Sequence, residues 1–273
     1  MHGIPFLTTI SSEFKFRTVE PLMNKRKANL DDMAQGVRIV MGLYHSRCLN
    51  VIQKAADNEF KCIRDHIRPN ILNVVAADEH VSEIERSIRV IKEGVRCRVH
   101  SLPYIYYPKN MVAALVISAV KSLNNEVGAC TLSERYVLHT LITRYNIPNY
   151  EQLVDLSFED HVEIKNLNER TNSTTVCTIL ALALYPSGNL QGGWRMMSLN
   201  TIRLIYRSRW EKVKMTDALI DRVHEIGQHQ RQRSMATNSE ELPEDDDKVE
   251  ELDDERSDTT EGDYDHPTMS NDP

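Results

Sequence analysis

The chain has 273 residues, 41% of them hydrophobic, which is enough to bury one substantial core. No apolar run reaches the roughly eighteen residues of a membrane span, and the start, MHGIPFLTTISSEF, lacks the pattern of a secretion signal. The five cysteines are scattered and form no CxxC pair, which is typical of free thiols in a reducing compartment. We therefore expect an intracellular protein that has no contact with a membrane.

The net charge of −7 is distributed unevenly along the chain. Residues 239–273 hold sixteen Asp and Glu against two basic residues, so residues 1–238 carry 31 basic and 24 acidic side chains, a net charge of +7. A basic body suits a polyanionic partner such as nucleic acid, and the composition of the acidic tail predicts disorder. The tail either solubilises the protein or imitates DNA and covers the basic body from within.

The first half of the chain predicts alternating strands and helices. Residues 3–10 and 14–19 indicate two strands, after which the apolar period over residues 29–47 becomes that of a helix. Residues 49–56 and 71–77 indicate two further strands. With the helix that follows, the order is strand, strand, helix, strand, strand, helix, which is typical of an α/β fold.

That next helix, residues 80–98, carries a charged row. In HVSEIERSIRVIKEGVRCR, the side chains of Glu85, Arg89, Lys92 and Arg96 follow one another at helical spacing beside a stripe of Val and Ile. One interpretation is a surface helix with Glu–Arg and Glu–Lys pairs worth about 0.2–0.5 kcal/mol each. The other is a carboxylate that holds a metal ion, followed by basic side chains that lie along a phosphate backbone.

The second half predicts two helices, a connector and a small β unit. The pattern of residues 109–123 predicts an amphipathic helix, and residues 133–144 predict another within a weakly patterned connector. In TVCTILALALYPSGNLQGGWRMMSLNTIRLIYRSRW, short apolar runs are broken by PSGN and QGG, which indicates hairpins. Residues 217–226 predict a short closing helix.

Two acidic motifs carry a resemblance to a known family. AADNEF places Asp57 at the end of a strand, and SEIERSIRVIKE places Glu85 on the helix downstream. Here the chain resembles the integrase of copia-type long-terminal-repeat retrotransposons, whose strand-end motif is like TDNGxEF and whose helix motif is like QNGVVERxNRTL. Glu83 is a competing carboxylate, but it lies on the wrong side of Ile84 for the family's glycine-apolar-Glu pattern, and Glu79 precedes the helix.

The resemblance covers residues 3 to about 226. GIPFLTTIS is similar to the family's second core strand, LPYIYYPKNMVAALVISAVKSLN to the stretch after the catalytic helix, and ALALYPSGNLQGGWRMMSLNTIRLIYRSRW to the β region that follows the core. It implies an α/β fold with an RNase H-like, retroviral integrase-type core, a mixed sheet and flanking helices. The domains are then a truncated core at 1–125, a helical connector at 126–170, a β-rich region at 171–226 and a disordered acidic tail at 227–273.

The resemblance also implies a chemistry. Family members hold two divalent ions between three carboxylates and carry out displacement at a phosphodiester, first with water and then with a DNA end. By motif match the metal ligands are Asp57 and Glu85, and the cofactor is Mg²⁺ or Mn²⁺, because hard cations prefer oxygen ligands. Arg89 and Lys92 occupy the turns where the family contacts DNA, and Arg96 extends the row.

The family pattern is incomplete in this chain. The first catalytic Asp belongs on a strand just ahead of GIPFLTTIS, where the chain begins, and the preceding zinc-binding module is missing, so we expect an amino-terminal truncation. Asp31 and Asp32 do not replace that Asp, because both start a predicted helix. Asn58 stands where the motif has glycine, the interval between the two carboxylates is short, and a Trp expected after the later helix is replaced near Lys121. We therefore expect weak metal binding and loss of strand transfer.

The implied partners are DNA, as retroelement ends and target DNA, and further copies of the chain, with a nuclear location if the protein functions. No small-molecule substrate is expected, since neither GxSxG nor GxxxxGK[ST] occurs. The alternative is a non-catalytic nucleic-acid-binding or assembly module built on the integrase scaffold. A third hypothesis is a zinc module, since His45, Cys48, Cys62 and His66 have metal-like spacing.

Overall fold

The structure is a computed structural model that describes residues 4–22, 30–67, 71–75, 82–125, 138–143, 155–166, 177–188 and 192–239. The chain is mixed α/β. The strands are β1 (Phe6–Ile10), β2 (Arg17–Pro21), β3 (Gln53–Ala56), β4 (Ile71–Val74), β5 (His161–Lys165), β6 (Thr178–Pro186), β7 (Trp194–Ser198), β8 (Leu204–Arg207) and β9 (Glu211–Lys212). The helices are α1 (Leu30–His45), α2 (Ser82–Ser101), α3 (Lys109–Asn125), α4 (Leu138–Thr143) and α5 (Asp217–Ser239), with a 3₁₀ helix at Asn58–Ile67. None of the described helices is long and apolar enough to cross a membrane.

A β-hairpin lies at the centre of the first half. β1 and β2 are antiparallel, with Thr8 opposite Val19. Because successive residues of a strand point to opposite faces, Leu7 packs with the buried side chains of α1, while Val19 packs with those of α2 and α3. Helices therefore cover both faces of the hairpin, as the predicted α/β order requires.

β3 and β4 form a separate, parallel pair in which Gln53 lies opposite Ile71. Parallel strands need a crossover connection, and the 3₁₀ helix, which the sequence pattern did not predict, lies within it. The buried Ile63 and Ile67 of this helix join β4 and α1 in one hydrophobic cluster. Asp57 stands between β3 and the 3₁₀ helix, so the packing of the crossover fixes its backbone position.

α2 packs against α3 along one side. Ile91 and Val95 of α2 belong to the same buried cluster as the apolar residues of α3. In the last turns of α2, Arg98 donates hydrogen bonds to Ser118 Oγ and Ser122 Oγ of α3, both at 2.6 Å. These contacts fix the rotation of α2, so its opposite face is exposed to solvent.

The second half is built on a five-stranded antiparallel sheet with the order β8-β7-β6-β5-β9. Both faces of β6 are buried. Leu182 and Leu184 pack against α3 and α5, while Ala181 and Ala183 pack with residues of β5 and β7 on the other face. This is why ILALALY reads as one apolar run instead of an alternating pattern.

The structure corrects two predicted boundaries. Residues 126–170 were predicted as a helical connector, but β5 lies within this range and pairs with β6 and β9. The sequence HVEIK is short and charged, so its strand depends on its neighbours and not on its own pattern. α5 was predicted to end at residue 226, but it continues to Ser239. Beyond residue 226, α5 packs on the segment before α3 and on the start of α3 itself, where Gln230 Oε1 accepts a hydrogen bond from Lys109 N at 2.7 Å. The predicted tail beyond Ser239 lies outside the described residues.

Gly227 allows α5 to approach this segment closely. A Cβ atom at Gly227 would lie 2.8 Å from the carbonyl carbon of Tyr106 and 2.9 Å from the backbone nitrogen of Tyr107. Because these are backbone atoms, they cannot move aside as a flexible side chain would. We expect Gly227→Ala to lower the free energy of unfolding by about 1–3 kcal/mol in urea denaturation.

Gly42 of α1 provides the matched control. No atom lies within 4 Å of its Cβ position. Gly42→Ala should therefore raise the free energy of unfolding by about 0.5–1 kcal/mol, as expected for an open helical site. A shift of the same sign in both variants would contradict the close packing of α5.

Candidate nucleic-acid interface

The predicted charged row is present on the exposed face of α2. Glu85, Arg89, Lys92 and Arg96 are all exposed, and together with Ile88 they line a shallow groove of about 300 Å³. The helical spacing that the sequence predicted is therefore confirmed. The four residues face solvent because the other side of α2 is packed on α3.

The three cations follow one another over seven residues, or about 10 Å of helix. This length is about three base steps of a duplex strand, which advances roughly 3.4 Å per step. The row can therefore lie beside consecutive phosphates of one strand. Its positive charge supplies no information about base sequence, because phosphate contacts position a protein without reading the bases.

Glu83, the competing carboxylate, has a different partner. Its Oε1 atom forms an ion pair with Lys15 Nζ at 2.5 Å, which links α2 to the turn between β1 and β2. Lys15 has a positive φ of 57°, so this turn presents the lysine in a defined backbone conformation. Glu83 therefore takes part in an ion pair that joins α2 to the hairpin.

Asp57 is exposed, at the end of β3 as predicted. Its carbonyl oxygen accepts a hydrogen bond from Phe60 N at 3.0 Å, which starts the 3₁₀ helix. The structure places Asp57 beside elements that pack on α1, whereas Glu85 lies on a helix that packs on α3 and β1.

The donor set does not complete a metal site. Carboxylate oxygens are suitable ligands for Mg²⁺, but among the described residues no three or more His, Cys, Asp or Glu side chains come together to hold one ion. Residues 76–81, in the predicted loop before α2, lie outside the described residues. Asp57 and Glu85 by themselves do not fit the three-carboxylate centre that the resemblance implies.

The zinc hypothesis meets the same difficulty. His45, Cys48, Cys62 and His66 all fall in the described part of the chain, where no metal-binding group of three or more side chains forms. Cys62 Sγ instead donates to the carbonyl oxygen of Glu59 at 3.2 Å, within the 3₁₀ helix. The four cysteines that the structure describes are free, as predicted, and all four are exposed.

Glu159 is a titratable group that the sequence did not reveal. It lies in the turn before β5 with a positive φ of 77°. Burial, together with the neighbouring Asp160, raises its pKa from 4.5 to about 7. Glu159 in turn raises the pKa values of Tyr104 and Tyr107, for which burial is the larger cause. Nothing in the sequence pattern of the connector indicated this cluster.

The perturbed carboxyl of Glu159 predicts a pH effect. Because its folded pKa is raised, the protonated group contributes stability that is complete below pH 4.5 and lost as the pH rises through 7. Glu159→Gln should therefore stabilise the protein at pH 8 and have little effect at pH 4. Partial exposure reduces the gain to about 1 kcal/mol.

Urea denaturation of Glu159→Gln at both pH values measures this difference. Glu211→Gln, at an exposed position in β9, is the control. An equal change in stability at pH 4 and pH 8 would show that Glu159 does not titrate as described.

No protein-family model and no curated protein matches the chain. The family resemblance therefore rests on the sequence motifs alone. The structure itself shows a mixed α/β protein with an exposed basic row on α2.

Proposed function

We propose that this protein is a DNA-binding, integrase-like protein of the copia type, with an RNase H-like core and without strand-transfer activity. The observation that carries the proposal is the exposed row of Arg89, Lys92 and Arg96 on α2. A helix face with three cations and a buried opposite side presents positive charge in a line, which suits the backbone of a nucleic acid.

The order of elements supports the scaffold part of the proposal. The antiparallel hairpin, α1, the parallel pair and α2 follow in the order that the resemblance implies. The two carried-over acidic positions occupy the corresponding elements, Asp57 at a strand end and Glu85 on the next long helix. The two short sheets share one hydrophobic cluster, which supports a common scaffold for the hairpin and the parallel pair.

The absence of strand transfer follows from the ligand set. In the resembled family, two ions share three carboxylates, whereas among the described residues neither Asp57 nor Glu85 belongs to a group of three or more metal-binding side chains. If Asp57 and Glu85 bind Mg²⁺ or Mn²⁺ at all, they bind it weakly. The protein then acts through its DNA contacts, at retroelement ends or target DNA, in the nucleus and together with further copies of itself.

One gel-shift assay tests both parts of the proposal. The full chain is incubated with an end-labelled duplex in Mn²⁺ at low salt and analysed on native and denaturing gels. We expect a retarded complex and no cleaved or joined product. The lack of any complex would contradict DNA binding, and robust product formation that Asp57→Asn abolishes would contradict the loss of catalysis.

A further inference from the structure

A second basic site lies away from the α2 row, in a cleft of about 390 Å³ between the two halves. Its walls come from β2, the end of α1, α3, α4 and the described residues on either side of the β6–β7 connection, namely 187–188 and 192–193. These elements are far apart in the chain, so no sequence motif marks the cleft. Its lining includes the basic side chains of Arg47, Lys121 and His139.

Lys121 is the central group. It lies on α3, and its Nζ atom donates a hydrogen bond to the carbonyl oxygen of Pro186 at 2.9 Å and stands 5.4 Å from the ring centre of Tyr185. An ammonium group has three donors, and the backbone carbonyl uses one. No carboxylate in the described ranges forms an ion pair with it. Burial, and then the positive charge of Arg195, lower the pKa of Lys121 to about 8.

His139 and Gly188 complete the arrangement. A point in the cleft at the Cβ position of Gly188 lies 3.6 Å from Lys121 Nζ and 3.7 Å from His139 Nε2. Burial is the largest cause of the lowered pKa of His139, and the positive charges of Lys121 and Arg47 lower it further. The groups are thus close enough to act on one another, and they surround a common space.

The single carboxylate in the lining, Glu20, only partly opposes this charge. Burial raises its pKa, which favours its neutral form. Burying the charged ammonium group of Lys121 without a paired anion lowers the stability of the folded protein. A bound anion would offset that cost, because it would accept hydrogen bonds from the remaining Lys121 donors.

We propose that this cleft binds a phosphate-type anion, either free phosphate or a phosphodiester of a nucleic acid, between Lys121, His139 and the turn at Gly188. A phosphate suits the site because it accepts hydrogen bonds from several directions at once. The inference does not rest on the proposed function. Under that function, the cleft would be a second phosphate contact, separate from the α2 row.

Calorimetric titration of the full chain with inorganic phosphate, at constant ionic strength balanced with chloride, tests the site. Lys121→Met keeps the bulk of the side chain and removes the charge, so we expect phosphate to bind at least tenfold more weakly. Lys61→Met, at an exposed position on the 3₁₀ helix, should bind like the wild type.

Gly188 offers a second, independent pair of variants. Its φ of 79° lies in the left-handed region, which Asp and Asn tolerate better than other residues. Gly188→Asp places a carboxylate beside Lys121 Nζ and His139 Nε2 and should abolish phosphate binding while raising the melting temperature. Gly188→Asn is the uncharged control and should not raise it.

Absence of phosphate binding by the wild type, or equal affinity in the wild type, Lys121→Met and Gly188→Asp, would overturn the proposal. Measuring the affinity of the wild type and of Lys121→Met for a short DNA duplex then shows whether the site binds free phosphate or a phosphodiester. A loss of duplex affinity in Lys121→Met, together with competition by phosphate, identifies a phosphodiester. Unchanged duplex affinity beside lost phosphate binding identifies free phosphate.

Discussion

Replacing Arg89, Lys92 and Arg96 with alanine together should weaken duplex binding by about 100-fold at physiological salt. Each phosphate contact of a basic side chain is worth about 1 kcal/mol, so three contacts amount to about 3 kcal/mol, or two orders of magnitude in affinity. All three side chains are exposed, so their removal should leave the fold intact. Fluorescence anisotropy with a labelled duplex measures the affinity, and a denaturation curve checks stability.

The control must remove the same charge elsewhere. Arg38 on α1 and Lys61 and Arg64 on the 3₁₀ helix are also exposed and basic. A triple alanine variant of these residues changes the net charge by the same amount. Its duplex affinity should fall by less than about threefold, through the long-range field alone. Equal losses in the two triple variants would mean that the α2 row has no special role.

Removing residues 240–273 should strengthen duplex binding at least tenfold at low salt. The truncation deletes sixteen acidic and two basic residues, which changes the net charge from −7 to +7. An acidic tail competes with DNA for the basic surface, and salt screens this competition. The gain should therefore disappear near 1 M salt, where the Debye length falls to about 3 Å.

A control for the tail keeps its length and removes its charge. In this variant, the sixteen Asp and Glu of residues 240–273 become Asn and Gln, and Lys248 and Arg256 become Gln, so that the tail is uncharged. Its duplex affinity should match that of the truncated chain. If truncation leaves the affinity unchanged, the tail is only a solubilising segment, which is the other interpretation that its composition allows.

The elements with strong periodicity were predictable from the sequence. α2 shows this best, because its apolar stripe and its charged row follow one helical period, and both faces are found as expected. The strands of the hairpin and of the parallel pair were also indicated, by short apolar runs or by alternating apolar and polar residues. The local sequence pattern was enough to predict an element wherever that element's own residues determine which of its faces is buried.

The features that depend on distant residues were not predictable. β5 is a strand because β6 and β9 pair with it, and beyond residue 226 α5 packs on the segment before α3 and on the start of α3 itself. Asn124, in the last turn of α3, is buried because its side-chain amide bonds both the N–H and the carbonyl of Arg17 on β2, at 3.0 Å and 2.8 Å. The cleft around Lys121 could not be predicted either, because its walls come from five elements that are distant in the sequence.

The most direct test of the DNA-binding account is the slope of log affinity against log salt for a duplex, measured for the wild type and for the triple alanine variant at Arg89, Lys92 and Arg96. Each phosphate contact contributes about 0.9 to this slope. The account predicts that the variant's slope is shallower by about 2.7, the value for three lost contacts. Parallel slopes for the two proteins would contradict it, because the row would then release no counterions from DNA.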